Sequence, residues 1–434
     1  MRMSLRAVVA AAGIAALAVT TGCGGGGDTP TTPDAGSTPT TGGDTAAETT
    51  GAPQRGDADL VIWTDELKIG PITEIAEDFG EDNGITVAVQ AVTDLQSNFI
   101  TANAASNGPD VVVGAHDWIG NMVQNGAIDP LQITADQVSQ YSPVAVDAVT
   151  YDEQLYGLPY GVEALVLYRN TDLVPEAPAT LDEAFATGLE LKAAGTVQSA
   201  FNLPVGELGD AYHMQPLYTS LGGYVFGRGA DGGYDASDLG VGDEASQAAG
   251  ARIAELGEGG SGALTRSVSG DNSIALFADG QAPFLLSGPW ARADVEAAGF
   301  GWDVQAVPGF EGAGPAQPFT GIQAFYVASA GANKAFAQEF VGNAMNTEEA
   351  MKVMYDGANI PPSLTTLQES EVAADPQLQA YLDAANAGEP MPSIPQMGAV
   401  FEPLGQAYSA IIGGADGAET MVATGDTIRT AIAE

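Results

Sequence analysis

Between Asp59 and Val113 short β-rich runs alternate with helical segments, and this alternation restricts the fold more than any other feature of the chain. Asp59-Leu60-Val61-Ile62-Trp63 is an apolar run of strand type. Residues 71–82 follow, with Ile72, Ile75, Ala76 and Phe79 at helical spacing. Pro71 stands near the helix start, where its fixed φ is tolerated. Gly84 ends that helix, and Ile85-Thr86-Val87-Ala88-Val89 alternates as a second strand. A further helix is expected over 96–105, after which Gly108-Pro109 turns into the buried-type strand Asp110-Val111-Val112-Val113. This order is the grammar of an α/β fold, a parallel sheet with helices on both faces. Ligands of such sheets lie beyond the carboxyl ends of the strands. The loops Thr64-Asp65-Glu66-Leu67-Lys68 and Gly114-Ala115-His116-Asp117-Trp118 are therefore the first candidates for a site.

The N-terminal residues 1–22 read as an export signal. Arg2 and Arg6 precede an uncharged apolar run from Ala7 to Val19, too short for the ~20 residues that span a bilayer. Thr20-Thr21-Gly22-Cys23 resembles the lipobox of bacterial lipoproteins, although Thr20 replaces the usual aliphatic residue. The resemblance implies that Cys23, the only cysteine, is lipidated and that the chain is extracytoplasmic, lipid-anchored to the cell membrane. The alternative is an ordinary secreted protein with one unpaired cysteine. Residues 23–56 are dominated by Gly, Thr, Pro, Ala, Ser and Asp. Such a segment cannot offset its chain entropy and is expected to be a flexible spacer with a reach of about 30 Å.

Residues 57–434 exceed the usual limit of one core, so two lobes are expected. With no cysteine after Cys23, their stability rests on packing. The formal net charge of -43, from 56 acidic and 13 basic residues, argues against nucleic acid or an anionic bilayer surface as a direct partner. Self-repulsion destabilises the compact state most at low ionic strength, and a high-salt habitat would explain such acidity. His116 and His213 stand far apart with no metal-ligand spacing, so neither a metal nor a cofactor is expected.

A series of short motifs in register is similar to the maltose/maltodextrin-binding proteins, the extracytoplasmic solute-binding subunits of carbohydrate ABC importers. They are Val61-Ile62-Trp63 with Lys68, Gly108-Pro109-Asp110, Ala115-His116-Asp117, Val162-Glu163-Ala164-Leu165 and Phe201-Asn202-Leu203. Gly222-Gly223-Tyr224, Gly288-Pro289-Trp290 and Met391-Pro392-Ser393-Ile394-Pro395-Gln396-Met397 complete the series. The resemblance implies the two-lobed periplasmic-binding-protein fold. Each lobe is then a mixed or parallel sheet flanked by helices, and the chain crosses the hinge three times. By position, lobe one would be 57–162 plus 308–346, and lobe two 163–307 plus 347–434. An oligosaccharide would lie between them, and the closed form would deliver it, as a monomer, to a membrane permease.

Sugar hydroxyls favour carboxylate acceptors, at about 1.5–3 kcal/mol per charged hydrogen bond. Sugar C–H faces favour aromatic planes, where covering roughly 50 Å² contributes about 1 kcal/mol. The resemblance assigns such roles to Asp117 on lobe one, Lys68 as a hydroxyl donor, and Trp290 and Tyr212 as stacking surfaces. Glu163 lies at the first hinge crossing, in an apolar context that is costly for an unpaired carboxylate. Asp65 and Glu66 share the Lys68 loop, Asp210 and His213 flank Tyr212, and Phe401 stands where the family has a third stacking tryptophan. Gly114 replaces a family tryptophan, Trp118 a family arginine and Gly405 another arginine, while about five extra residues precede Tyr212. These departures point to an α-glucoside whose linkage, length or end differs from that of linear maltose. An N-cap role for Asp117, a surface role for Lys68 and a core role for Trp290 are the structural alternatives. Other readings are a binding protein for a different oligosaccharide or polar solute, or a glycoside hydrolase with paired carboxylates. The family resemblance favours binding without catalysis.

Overall fold

Side chains of the first strand, β1 (Leu60–Thr64), alternate between two cores, as a period of two requires when a sheet is covered on both faces. The computed structural model describes residues 55, 57–229, 233–375 and 377–433. The leader, Cys23 and all of the spacer except Arg55 lie outside the described residues. Leu60 and Ile62 share a core with Ile72, Ile75 and Phe79 of α1 (Ile69–Asn83). Val61 and Trp63 face the other way, onto Phe99 of α2 (Leu95–Ala104) and Ile119 and Met122 of α3 (Ile119–Gln124). β2 (Val87–Ala91) and β3 (Val111–Ala115) lie parallel to β1 on its two sides.

The expected strand–helix order is present, with boundaries shifted by one or two residues. Helix α1 begins two residues before Pro71, which occupies its first turn. Gly84 takes the left-handed conformation (φ 63°), and the Gly84 and Ile85 N–H groups return to the Glu81 and Gly80 carbonyls. Ile85 and Thr86 are spent on leaving the helix, so strand pairing starts at Val87 rather than Ile85.

The sheet is mixed. The strand Phe319–Ala328, buried along all ten residues, inserts antiparallel between β3 and the strand Gly157–Glu163. Asp110 ties the ends of this sheet together. Its carboxylate accepts the Val61 and Asn333 N–H groups at 2.8 Å and pairs with Arg55. A second sheet has Val166–Asn170 at its centre, antiparallel to Phe284–Ser287 and to Trp302–Ala306. Its Leu167, Phe284 and Leu286 pack on a separate core with Met214, Leu217, Tyr408 and Ile411.

These two sheets are the two lobes of a periplasmic-binding-protein fold. The chain first passes between them at Ala164 and Leu165, both fully buried and belonging to different cores. It returns between strands Trp302–Ala306 and Phe319–Ala328. The helix Glu348–Ala358 packs on α1, and Leu364 and Leu367 share the core of Leu60. The helix Gln377–Ala387 lies against Trp302–Ala306 and also touches Gly157–Glu163.

His116 fastens the first sheet to the segment that leaves this last helix. The Ile322 N–H donates to Nδ1 at 3.1 Å, so Nε2 carries the proton and donates to the Met391 carbonyl at 3.0 Å. Burial pushes this imidazole down to about 4, which keeps it neutral. Among the described residues no helix is long and apolar enough to cross a membrane.

Candidate functional site

Two turns of the same design, one after a strand of each sheet, carry several of the candidate residues. β3 ends in the short 3-10 turn His116–Trp118, and Phe284–Ser287 ends in the 3-10 turn Pro289–Ala291. In each, a tryptophan ring folds back over a glycine. A Cβ on Gly114 would lie 2.0 Å from Cζ3 of Trp118, and one on Gly288 would lie 2.1 Å from Cζ3 of Trp290. Both rings are half-buried against the core that spans the two sheets.

Asp117 stands beside the first ring and is half-buried, with its Oδ1 sealed and lacking a hydrogen-bond partner. Burial pushes its carboxyl up to about 7, helped by the Glu163 charge and opposed by its own backbone N–H. Glu163, at the end of Gly157–Glu163, accepts from Nε2 of Gln323 at 2.9 Å. Burial also raises the Glu163 carboxyl, while Gln323 and Lys68 hold it down in part. Lys68 is buried and paired with Asp65, which caps the turn Glu66–Lys68 by accepting the Leu67 N–H at 3.1 Å. Glu66 is exposed on the same turn.

On the second lobe Asp210 caps the helix Ala211–Ser220, accepting the His213 N–H at 2.9 Å and meeting its Nδ1 at 2.7 Å. Tyr212 follows, with ring centroids 6.3 Å from Trp290 and 6.3 Å from Phe319, the latter stacked. His213 stands edge-on to Trp290 at 6.1 Å. The Tyr212 hydroxyl is sealed without a partner; burial and the charges of Glu163, Asp210 and Asp117 raise it well above its ordinary value. Phe401 shares a cavity of about 80 Å³ with Asp117, Gln96, Asn121 and the Ile394–Gly398 segment.

Sequence reasoning missed several groups that belong to this neighbourhood. Buried polar atoms of Thr64, Tyr160, Gln323 and Tyr326 also lack partners, and Tyr160 senses Glu163 and Asp65 while Tyr326 senses Asp117. Each unpaired group costs about 1–3 kcal/mol. A signal was present for one of them: Gln323 is a polar residue within the apolar strand Phe319–Ala328, where burial needs a reason. The structure therefore gathers Asp65, Lys68, Asp117, Glu163 and Tyr212 into one electrostatically coupled group. Tyr212, His213 and Trp290 form an aromatic wall with Asp210 held against His213, and Phe401 shares a cavity with Asp117.

Residues 74–380 match the family described as bacterial extracellular solute-binding protein. A galactooligosaccharide-binding protein of Bacillus subtilis is 27% identical over 82% of this chain and 85% of its own length. A maltotriose-binding protein of Pyrococcus abyssi is 26% identical over 80% of this chain and 76% of its own length. A maltooligosaccharide ABC transporter solute-binding lipoprotein of Streptococcus pneumoniae is 25% identical, over 80% of this chain and 82% of that one. With the match covering most of the chain, the protein belongs to the bacterial extracellular solute-binding protein family.

Proposed function

We propose that this protein is the extracytoplasmic substrate-binding lipoprotein of an ABC sugar importer. It holds maltose- or maltodextrin-like α-glucoside oligosaccharides in the interlobe cleft and hands them to a membrane permease. The observation that carries this is the set of sealed, unpartnered oxygens of Asp117, Tyr160, Tyr212 and Gln323 beside the Tyr212–Trp290 wall. Such a mixture of acceptors, hydroxyls and flat rings matches the rim and face of a sugar, and hydroxyls would relieve the unpaired groups. The names of the relatives support an oligosaccharide class and binding without turnover. One relative's name, galactooligosaccharide-binding protein, supports a second reading, that the ligand is a galactoside oligosaccharide.

In this reading Asp117, Glu163 and Asp65 accept sugar hydroxyls, Lys68 donates, and Trp290, Tyr212 and Phe401 offer stacking surfaces. Trp118 and Asp210 complete the lining, while Glu66 sits at the rim. Sugar touching both sheets favours the closed arrangement by its differential affinity. We place the third hinge crossing near 375 rather than at 346, because Glu348–Ala358 and Leu364 pack with the first sheet. Cys23 is proposed as the lipidated residue, holding the monomeric protein at the outer face of the membrane.

Calorimetric titration of the purified protein with maltose, maltotriose, longer maltodextrins, trehalose, β-galacto-oligosaccharides and cello-oligosaccharides tests the proposal. One α-glucan series is expected to bind near micromolar, about -8 kcal/mol. Trp290→Ala is expected to weaken it at least tenfold. Binding confined to galacto-oligosaccharides would favour the second reading, and no binding to any sugar would refute both.

A further inference from the structure

The turn that carries Trp290 is tied at both flanks to one short stretch of chain, residues 375–381. The indole lies over Gly288, where an added Cβ would come within 2.1 Å of Cζ3. The Gly288 carbonyl in turn accepts the Tyr168 hydroxyl at 2.8 Å, and the Tyr168 oxygen accepts the Tyr381 hydroxyl at 2.7 Å. Tyr168 is fully buried on the central strand of the second sheet, and Tyr381 is buried on the helix Gln377–Ala387. Two phenols in an apolar core must satisfy their hydroxyls locally. A donor chain that ends on a backbone carbonyl does so with a fixed direction. Two residues beyond Trp290, Arg292 pairs with Asp375 and donates from Nε to Glu296 at 2.7 Å. A cavity of about 190 Å³ borders Pro289, Arg292, Asp375 and Tyr381, and reaches Tyr355 of the helix that packs on α1. Close packing is interrupted on this side of the turn, so the polar ties at 288 and 292 are what hold it there.

We propose that Tyr168, Tyr381 and Arg292 are positioning residues for Trp290. None of the three belongs to the lining described above. They hold the glycine seat of the indole, and the residue that follows the turn, in register with 375–381, where the third hinge crossing is placed. This rests on the reading that Trp290 stacks on a sugar ring, and it adds that the placement of that ring is set from the hinge. A gap of roughly 0.5–1 Å forfeits a quarter to a half of a dispersion contact, so a turn released by one hydrogen bond loses affinity without losing the fold.

Double-mutant cycles on the full chain test this. The probe is maltotriose, or β-1,4-galactotriose should only galactosides bind, and the readouts are calorimetric Kd and, separately, melting temperature. Tyr168→Phe is expected to raise Kd about fivefold, the worth of one neutral hydrogen bond, and Arg292→Gln to do the same. Tyr381→Phe leaves the bond from Tyr168 to Gly288 in place and is expected to raise Kd only about twofold. Tyr381→Phe and Arg292→Gln decide the matter should Tyr168→Phe fail to fold. In a Trp290→Ala background each substitution is expected to leave Kd where Trp290→Ala alone puts it, because no ring is left to position. A residue that only supports the fold would lower the melting temperature and leave Kd unchanged. That result, or losses that persist undiminished beside Trp290→Ala, would overturn the proposal while leaving Trp290 as a stacking residue. An unchanged Kd in Trp290→Ala itself, or wild-type protein that binds no sugar of the panel, would overturn the stacking reading and the proposal with it.

Discussion

Asp117 shows how one carboxyl can be costly to the empty fold and useful to a ligand. Its carboxyl lies near 7 in the folded chain and near 3.8 when unfolded. Below the unfolded value both states hold the proton and nothing is lost. As pH rises towards 7 the unfolded chain ionises first, so stability falls across this window. Asp117→Asn is therefore expected to stabilise the protein at pH 8 by roughly 1–2 kcal/mol, after allowance for part exposure, and to change little at pH 4. Denaturant midpoints at the two pH values check this. A variant less stable than wild type at pH 8 would mean that the ionised carboxylate is already well held. The same substitution should weaken sugar binding, since it replaces an acceptor that gains strength on ionisation. At this scale the sequence pointed to Asp117, Glu163 and Tyr212, whose charges act on one another in the folded chain, and to Trp290, whose ring neighbours Tyr212. It did not reveal that Lys68 is buried and paired with Asp65, because side-chain direction in a three-residue turn leaves no periodic trace.

Among the elements, the helix Phe401–Ile412 accounts for two departures that were separate in the sequence. Phe401, Gly405 and Ser409 share one face of this helix at intervals of four residues. Ser409 donates to the Gly206 and Glu207 carbonyls at 3.0 Å, and Gly209 presses so close that its Cβ would lie 1.8 Å from the Gly405 carbonyl oxygen. The extra residues before Tyr212 thus rest where an arginine at 405 would need room. Gly209 is also left-handed (φ 83°), so Gly209→Ala is expected to cost about 2–3 kcal/mol, whereas Gly405→Ala, with contacts of 3.3–3.4 Å, costs under about 1 kcal/mol. Chemical denaturation of the two variants checks this order, and equal losses would contradict it. The elements themselves were legible where periodicity is long, as in α1. Boundaries drifted where a cap consumed residues, as at Ile85. The antiparallel strand Phe319–Ala328 could not be placed from its sequence, since pairing partners distant along the chain leave no local pattern.

For the whole molecule, charge is the dominant fact. Arginine and lysine side chains across the surface are already engaged with carboxylates, as in Arg252 with Asp182 and Glu255, Arg266 with Glu207 and Glu258, and Lys334 with Asp129. With a net charge of -43, most carboxylates have no cation left to meet. Shortening the Debye length from about 20 Å to about 3 Å should relieve their repulsion. The melting temperature is expected to rise by several degrees between 20 mM and 1 M sodium chloride, and calorimetry in both salts checks it. A flat or falling curve would show that the acidic surface carries little strain.

The buried passage through Ala164 and Leu165 gives the two-lobed design a mechanical character. Each residue is seated in a different core, so this crossing has no slack: lengthening or bending it would draw apolar surface into water. Ala164 lies in the core shared by both sheets, so any motion of one against the other is expected to be confined rather than free. Less entropy would then be lost on closing over a ligand, leaving more of the contact energy to separate one solute from another.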